Sequence, residues 1–360
     1  EGPPMNALGS PRRLANLRVS HLTGNRPFQP GAGPHGGEFF IPWRALREAF
    51  LDRGVELNTP DVNEGHAVAF ELHLNVQRSL PAEVPCYVYL YEDALVRPLN
   101  ADADRLRRYR KVYTWNEDLI DNEHVIELEY PNDLTPRNVP GSAQRDLFCV
   151  LMASNKALRH PDPRSLHERR VAVIRHFQTH APGGFFLYGP GWDIPAVRAG
   201  AWGRVLKRLN EWGRPWRSHP AFACWRGTVR EKAEVLDRAR FCICYENSRG
   251  SPGYLTEKIF DCFTSGCVPV YLGTQHRMAP FPAACFVDAQ AYATEADLLQ
   301  ALRAMGDAEF AARQAAMRDF LRSDEAQRYS REHFCRTLVD GILADLDRPG
   351  APSSPTGLHP

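Results

Sequence analysis

Three places along the chain combine residue types that could hold an anion or move a proton. The first is Thr256-Glu257-Lys258, at the head of a helix approached by a Gly/Pro-containing loop. Thr256 suits an N-cap and Glu257 the positive end of the helix dipole, but Lys258 in that first turn opposes it by roughly 0.3–1 kcal/mol. An anion near the same amides reverses the sign. Free amides, a lysine and a glycine-rich approach are what a diphosphate needs; a solvated lysine on an ordinary helix is the alternative. The second is Arg170, early in the predicted helix SLHERRVAVIRHF, where a cation again opposes a helix N-terminus and suits an anionic partner. Its neighbour Arg169 points about a quarter-turn away and reads as a surface residue, and solvation of both arginines stays open. The third is Glu92, which closes the apolar run CYVYLY. A carboxylate beyond the carboxyl end of a buried strand sits where α/β folds place ligands. A turn or helix cap is the competing reading for Glu92, as for Asp93 beside it, and Glu38 is a further carboxylate beside the Gly-rich loop.

The elements that must position these groups alternate in type. FCICY (241–245) and VPVYL (268–272) are apolar strands on either side of a polar loop and a short helix, a βαβ unit. The pattern predicts strands at 17–22, 67–74, 86–91 and 111–115, a Gly/Pro-rich loop at 24–37, and helices at 42–53 and 104–110. A stretch rich in Pro, Gly and Asn at 133–146 reads as an interdomain linker. The same grammar then restarts. Strands are predicted at 147–153 and 185–188, and a helix opens at Ser165 with Glu168 as a capping box. Helices follow at 229–240, 295–305, 307–321 and 330–345, the last with a core stripe of Phe334, Leu338, Ile342 and Leu346. Residues 1–10 read as a disordered lead-in, and those after Arg348 as a disordered tail.

Composition excludes several classes of function. The 360 residues suffice for two domains, each with its own core. Basic and acidic residues number 44 and 43 with no long block of either sign, so nucleic acid is not an expected partner. No apolar run approaches the ~20 residues of a membrane span, and no signal-peptide core opens the chain. The nine cysteines show no CxxC pair or zinc-type spacing and lie mostly in apolar segments. They read as reduced, buried thiols of a cytoplasmic protein, a reading the lack of any Asn-x-Ser/Thr sequon also favours.

The run ENS, a Gly-rich gap, GYLTEKI and VPVYLG resembles the donor-site signature of the family 10 glycosyltransferases, the α1,3/α1,4-fucosyltransferases, in their bacterial form. FCVLMASN ahead of Arg170 adds to the likeness. YLYEDALVRPLN resembles the family's base-bearing stretch, an acidic residue followed by Pro-x-Asn. The resemblance implies an α/β, GT-B fold: two Rossmann-like domains facing a cleft, at 14–140 for the acceptor and 146–346 for the GDP-sugar, with 348–360 as tail. It implies inverting transfer of L-fucose from GDP-fucose to a hydroxyl of a GlcNAc-containing glycan, on an oligosaccharide or a lipid-linked acceptor. Glu92 would be the catalytic base, and Arg170, Asn247, Tyr254, Glu257 and Lys258 would bind the donor, Glu257 through either ribose or the sugar ring. No metal or other cofactor is expected, because Arg170 and Lys258 neutralise the diphosphate. The setting implied is cytoplasmic, with peripheral attachment at the inner face of the membrane left open. The alternatives are another nucleotide-deoxysugar donor on the same fold, or a non-catalytic nucleotide-sugar-binding protein.

Two features need a separate reading. Asp102-Ala-Asp104 mimics a metal-binding DxD, but it opens the helix DRLRRYR, where aspartate is favoured for capping alone. Residues 193–223, carrying Trp202, Trp212 and Trp216, make a longer link than the family pattern suggests. A local helical hairpin packing its own tryptophans is expected there, with an acceptor-binding insert as the alternative.

Overall fold

The computed structural model describes residues 12–19, 22–31, 40–274 and 281–348. It divides into two units, Glu1–Asn132 with Arg328–Pro360, and Asp133–Gln327. The predicted lead-in and tail and Glu38 lie outside the described residues, as do parts of the 17–22 strand and the 24–37 loop.

The first unit contains β1 (Arg13–Arg18), α1 (Ile41–Leu51), β2 (Val55–Asn58), β3 (Glu71–Leu74), β4 (Cys86–Leu90), α2 (Ala103–Leu106), β5 (Lys111–Thr114) and β6 (Val125–Glu127). The strands form one parallel sheet in the order β2-β1-β3-β4-β5-β6. β3 and β4 are buried throughout, as expected of parallel strands covered on both faces. β1 lies four residues earlier than predicted, and β2 and β6, short and flanked by polar residues, were not anticipated. The order reverses between β1 and β3, which makes the carboxyl ends of these central strands the natural ligand crevice of this sheet.

The second unit contains β7 (Leu147–Met152), α3 (His167–His180), β8 (Phe185–Tyr188), α4 (Gly200–Trp212), α5 (Lys232–Leu236), β9 (Ala239–Tyr245), α6 (Glu257–Ser265), β10 (Val268–Leu272), β11 (Val287–Asp288), α7 (Glu295–Ala304), α8 (Asp307–Leu321) and α9 (Asp324–Gln327). Its parallel sheet has the order β11-β10-β9-β7-β8, reversing between β7 and β9. The helix predicted at 229–240 is confined to α5, because Ala239 already pairs with Leu147 of β7. α6 ends at Gly266, whose φ of 60° and crowding by Val139, Gln314 and Arg145 leave no room for a side chain.

Two predicted boundaries are corrected. Residues 133–146 are not a free linker: Arg145 is buried and donates to the carbonyls of Leu236, Ala239 and Ser265, which builds the segment into the second unit. The last helix, α10 (Arg331–Leu346), belongs to the first unit rather than to a 146–346 domain. Its stripe of Phe334, Leu338 and Ile342 joins the core around Trp43, Phe50, Tyr87 and Tyr89. Asp345 accepts from Tyr87 and Arg110, each at 2.7 Å, and anchors the end of the helix.

Candidate active site

β9 ends at Tyr245, and the ladder runs one residue further through Glu246 N to Leu272 O at 2.8 Å. This delivers Glu246 to the carboxyl end of the sheet, beside the point where strand order reverses. Glu246 is fully buried. Its carboxylate accepts from Thr256 N at 3.0 Å, from Thr256 Oγ1 at 2.9 Å and from Lys258 Nζ at 2.7 Å. Gly273 makes the space, since a Cβ there would lie 2.8 Å from Glu246 Cγ. Thr256 does occupy the N-cap of α6, but its side chain makes no capping bond. Its hydroxyl donates to Glu246 and accepts from Lys258 at 2.7 Å, so the first-turn amides receive no acceptor from it. Burial works against the Lys258 ammonium; Glu246 and then Glu257 outweigh it and hold its pKa above the usual lysine value.

Arg170 meets this cluster from α3. The 246–250 loop is laced to the approach of that helix by Leu166 N to Asn247 O at 3.1 Å and Arg249 N to Arg164 O at 2.8 Å. A bridge between Ser165 and Ser248 commits Ser165 to the same lacing. The predicted capping box at Ser165 does not form; α3 begins at His167, with Leu166 at its N-cap and no side-chain cap. Arg170 is buried and donates to Tyr245 O at 2.7 and 3.2 Å and to Asn247 Oδ1 at 2.9 Å. The Asn247 amide donates in turn to the hydroxyl of buried Tyr254, at 3.2 Å. Burial lowers the Arg170 pKa against the opposing pull of Glu246 and Tyr254. Arg170, Asn247 and Tyr254 thus form one hydrogen-bonded group and Glu246, Thr256 and Lys258 a second, with the Glu246 charge acting on both cations.

Glu246 was missed by sequence reasoning, although a signal was present. A carboxylate ending an all-apolar strand cannot stay buried without a cation, and Lys258 is the nearest lysine downstream. Glu257 turns instead to Lys232, whose ammonium lies 3.3 Å from Glu257 and 2.6 Å from Asp261. Burial opposes ionisation of Glu257, but Lys232 and Lys258 prevail and hold its carboxyl at about 2. Arg169 faces Glu295 at 3.6 Å and is half exposed, as expected of a surface residue.

In the first unit, Glu92 lies just beyond the end of β4. Its backbone is clamped by two asparagines. Asn75, in the left-handed conformation with φ 65°, accepts from Glu92 N at 2.8 Å; Asn100 donates to Glu92 O at 2.7 Å and to Asn75 Oδ1 at 2.8 Å. Asn100 is the asparagine of Pro98-Leu99-Asn100, so the Pro-x-Asn element acts on the main chain of Glu92. Asp93 is the turn former of the pair: it is fully buried, and its Oδ1 accepts from Leu95 N at 2.7 Å. Glu92 itself is half-buried. Asp102 caps α2 through Arg105 N at 3.1 Å, and Asp104 pairs with Arg107.

Among the described residues, two groups bring possible metal ligands within 4.8 Å of one another, Cys242 with Cys244 and Cys262, and Glu71 with His73 and Cys86. Cys242 and Cys244 share a face of β9 by strand alternation, with Cys262 of α6 nearby, a cluster that a search for CxxC spacing does not find. All nine cysteines are buried and unbridged. A cavity of about 1000 Å³ opens between α3 and α4, lined in part by Glu168, Val171, Arg175, Gly203, Leu206 and Asn210; none of the expected donor residues lines it. The expected packing of tryptophans in 193–223 is not found. α4 and the 3-10 turn Arg214–Trp216 leave Trp202, Trp212 and Trp216 79%, 78% and 76% exposed.

Solved glycosyltransferase structures share this architecture. An α1,3-fucosyltransferase crystallised with GDP-fucose superposes with a TM-score of 0.52 at 14% identity, covering 98% of this chain and 93% of that one. Sucrose-phosphate synthase from Thermosynechococcus elongatus gives 0.53 at 13% identity, covering 92% and 98%. The two parallel sheets and these likenesses define a GT-B glycosyltransferase fold. Residues 208–338 match the family model Glycosyltransferase family 10 (fucosyltransferase) C-term. Over 60 residues it is 38% identical to alpha-(1,3)-fucosyltransferase FucT of Helicobacter pylori, a match covering 17% of this chain and 12% of that protein. The family match includes Asn247, Tyr254, Glu257 and Lys258; Arg170 and Glu92 lie outside it.

Proposed function

We propose that the chain transfers L-fucose from GDP-fucose to a hydroxyl of a GlcNAc-containing glycan, with inversion at the fucose C1. The observation that carries this reading is the pair of cations Arg170 and Lys258, both acted on by buried Glu246 beside the head of α6, inside or beside the family-matched region. The acceptor oxygen attacks C1 from the face opposite the nucleotide, and the C1–O bond to phosphate breaks with its electron pair leaving on GDP. Glu92 takes the acceptor proton, its backbone held by Asn75 and Asn100. Arg170, Lys258 and the amides of α6 stabilise the diphosphate leaving group without a metal. Asn247 and Tyr254 orient the donor, and Glu257, held by Lys232, contacts its ribose or sugar ring. The nine unbridged thiols support a reducing, cytoplasmic setting.

The test is a panel of sugar nucleotides offered with GlcNAc-containing oligosaccharides, the anomeric configuration of any product being read by NMR. The reading requires α-linked fucose from β-linked GDP-fucose. Preference for another deoxysugar nucleotide would replace the donor assignment, and tight GDP-fucose binding with neither transfer nor hydrolysis would make the protein a binder.

A further inference from the structure

The apolar residues of α4 form a stripe that its own fold leaves uncovered. Trp202, Val205, Leu206, Leu209 and Trp212 recur at i, i+3, i+4, i+7 and i+10, an arc of about 120° at ~100° per residue. On an ordinary surface helix such a stripe faces the core. Here all five are exposed, and Trp216 in the following turn is exposed with them. The helix instead rests on its own approach through Gly203, which is buried and where a Cβ would lie 1.8 Å from Arg198 O. Lys207 and Asn210, on that same side, are half-buried. The remaining face is cationic: Arg204 and Arg208 lie on α4 and Arg214 and Arg217 follow it, with Glu211 paired to Lys207 and Arg214 to Asp193.

We infer that α4 and the turn after it dock on an anionic lipid surface, lying in the interface with the tryptophans as anchors. Tryptophan and leucine on one face with arginine and lysine on the other is the composition that settles at a headgroup boundary. Charge complementarity selects this occupant. A second copy of the chain would bring two strongly cationic segments together. A glycan would need free polar groups beside the aromatic rings, but Glu211 pairs with Lys207 at 3.5 Å and Asn210 accepts from Arg217 at 2.6 Å. Val205, Leu206 and Leu209 offer nothing to sugar hydroxyls. α4 is too short to span a bilayer, and no helix among the described residues is long and apolar enough to do so. This inference stands independently of the proposed sugar transfer.

The experiment is flotation of the purified full chain with phosphatidylcholine vesicles prepared with and without phosphatidylglycerol, at low and high salt. The protein should float with anionic vesicles, release at high salt, and shift its tryptophan emission to the blue. W202S/W212S/W216S, altering exposed residues only, should keep the parent's circular dichroism and lose at least about tenfold in vesicle affinity. R204Q/R208Q should lose about fivefold per charge removed. Failure to float with anionic vesicles, or equal flotation of the tryptophan variant, would overturn the inference. So would a blue shift produced by soluble glycan alone, or a concentration-dependent dimer that the tryptophan variant abolishes, each reassigning the face.

Discussion

Replacing Lys258 by Met should strand the Glu246 carboxylate, and the structure sets the size of the effect. Glu246 has no solvent exposure, and after the substitution only the two Thr256 donors remain to it. Removing one partner of a buried ion pair costs about 3–5 kcal/mol; the surviving Thr256 bonds favour the lower figure, about 3 kcal/mol. At roughly 2–4 °C per kcal/mol for a unit of this size, the midpoint should fall by about 6–12 °C. Glu246→Gln should cost less, about 1–2 kcal/mol, because the Lys258 side chain is 20% exposed and keeps its contact with Thr256 Oγ1. The double variant K258M/E246Q removes both charges and should recover about 1–3 kcal/mol relative to the sum of the singles. Urea unfolding of the four proteins closes the cycle, and calorimetry with GDP adds the ligand side. K258M should weaken GDP, whereas E246Q, whose amide oxygen still accepts from Lys258 and holds its stem while the competing charge is gone, should bind GDP at least as tightly as the parent. A loss below about 1 kcal/mol for K258M, or strict additivity, would refute the reasoning.

Three further outcomes are expected. Glu92→Gln should leave GDP-fucose affinity nearly unchanged and lower transfer by about 10² to 10⁴-fold; near-normal transfer by this variant in a radiolabelled-fucose assay would end the base assignment. Turnover should persist in EDTA if, as proposed, Arg170, Lys258 and helix amides serve the diphosphate; loss restored by manganese would turn attention back to Asp102 and Asp104. Acid should weaken the first unit through Glu71, which accepts from Asn16 and Arg18 and lies 2.8 Å from His73 Nε2. Burial opposes the Glu71 charge, but His73, Asn16 and Arg18 bring its carboxyl down to about 2, from 4.5 when unfolded. Its contribution is complete above 4.5 and is lost as pH falls through about 2, at most about 3 kcal/mol. Burial also lowers the His73 pKa, so the unfolded chain takes up that proton first and stability begins to fall below about 6.5. Urea midpoints across this range should show a flatter low-pH limb in Glu71→Gln, and an unchanged limb would discard the assignment.

The parts of the fold that were legible in the sequence are those whose pattern is local. β4, β9 and β10 are unbroken apolar runs between turn residues, and each forms where the runs lie. The membership of α10 was not legible. Its stripe of Phe334, Leu338 and Ile342 shows that a core face exists, but the choice of sheet is made by Trp43, Tyr87 and Tyr89, hundreds of residues away. The same limit explains 133–146: proline and glycine mark irregular backbone, and Arg145 decides by long-range bonds that it is built in. The tryptophans of 193–223 mislead for a different reason. Packing is the usual fate of large aromatic residues, and it is Gly203 that sets α4 close on Arg198 and leaves the stripe outside.

The helix dipole marks Lys258 without identifying its partner. A cation in the first turn of α6 requires an anion, and the fold supplies one of its own in Glu246. This does not remove the case for a diphosphate. Arg170 and Lys258 both feel Glu246, Lys258 feels Glu257 as well, and Lys232 partly offsets Glu257, so the case rests on the placement of the two cations and not on an excess of positive charge. Glu246 also does what a phosphate alone cannot: it holds the flexible lysine stem beside Thr256, so that less side-chain freedom remains to be lost when an anion arrives. On this reasoning Glu246 acts as a positioning residue for Lys258, and the amides at the head of α6, which Thr256 leaves uncapped, provide the donors that the neutralised lysine charge does not.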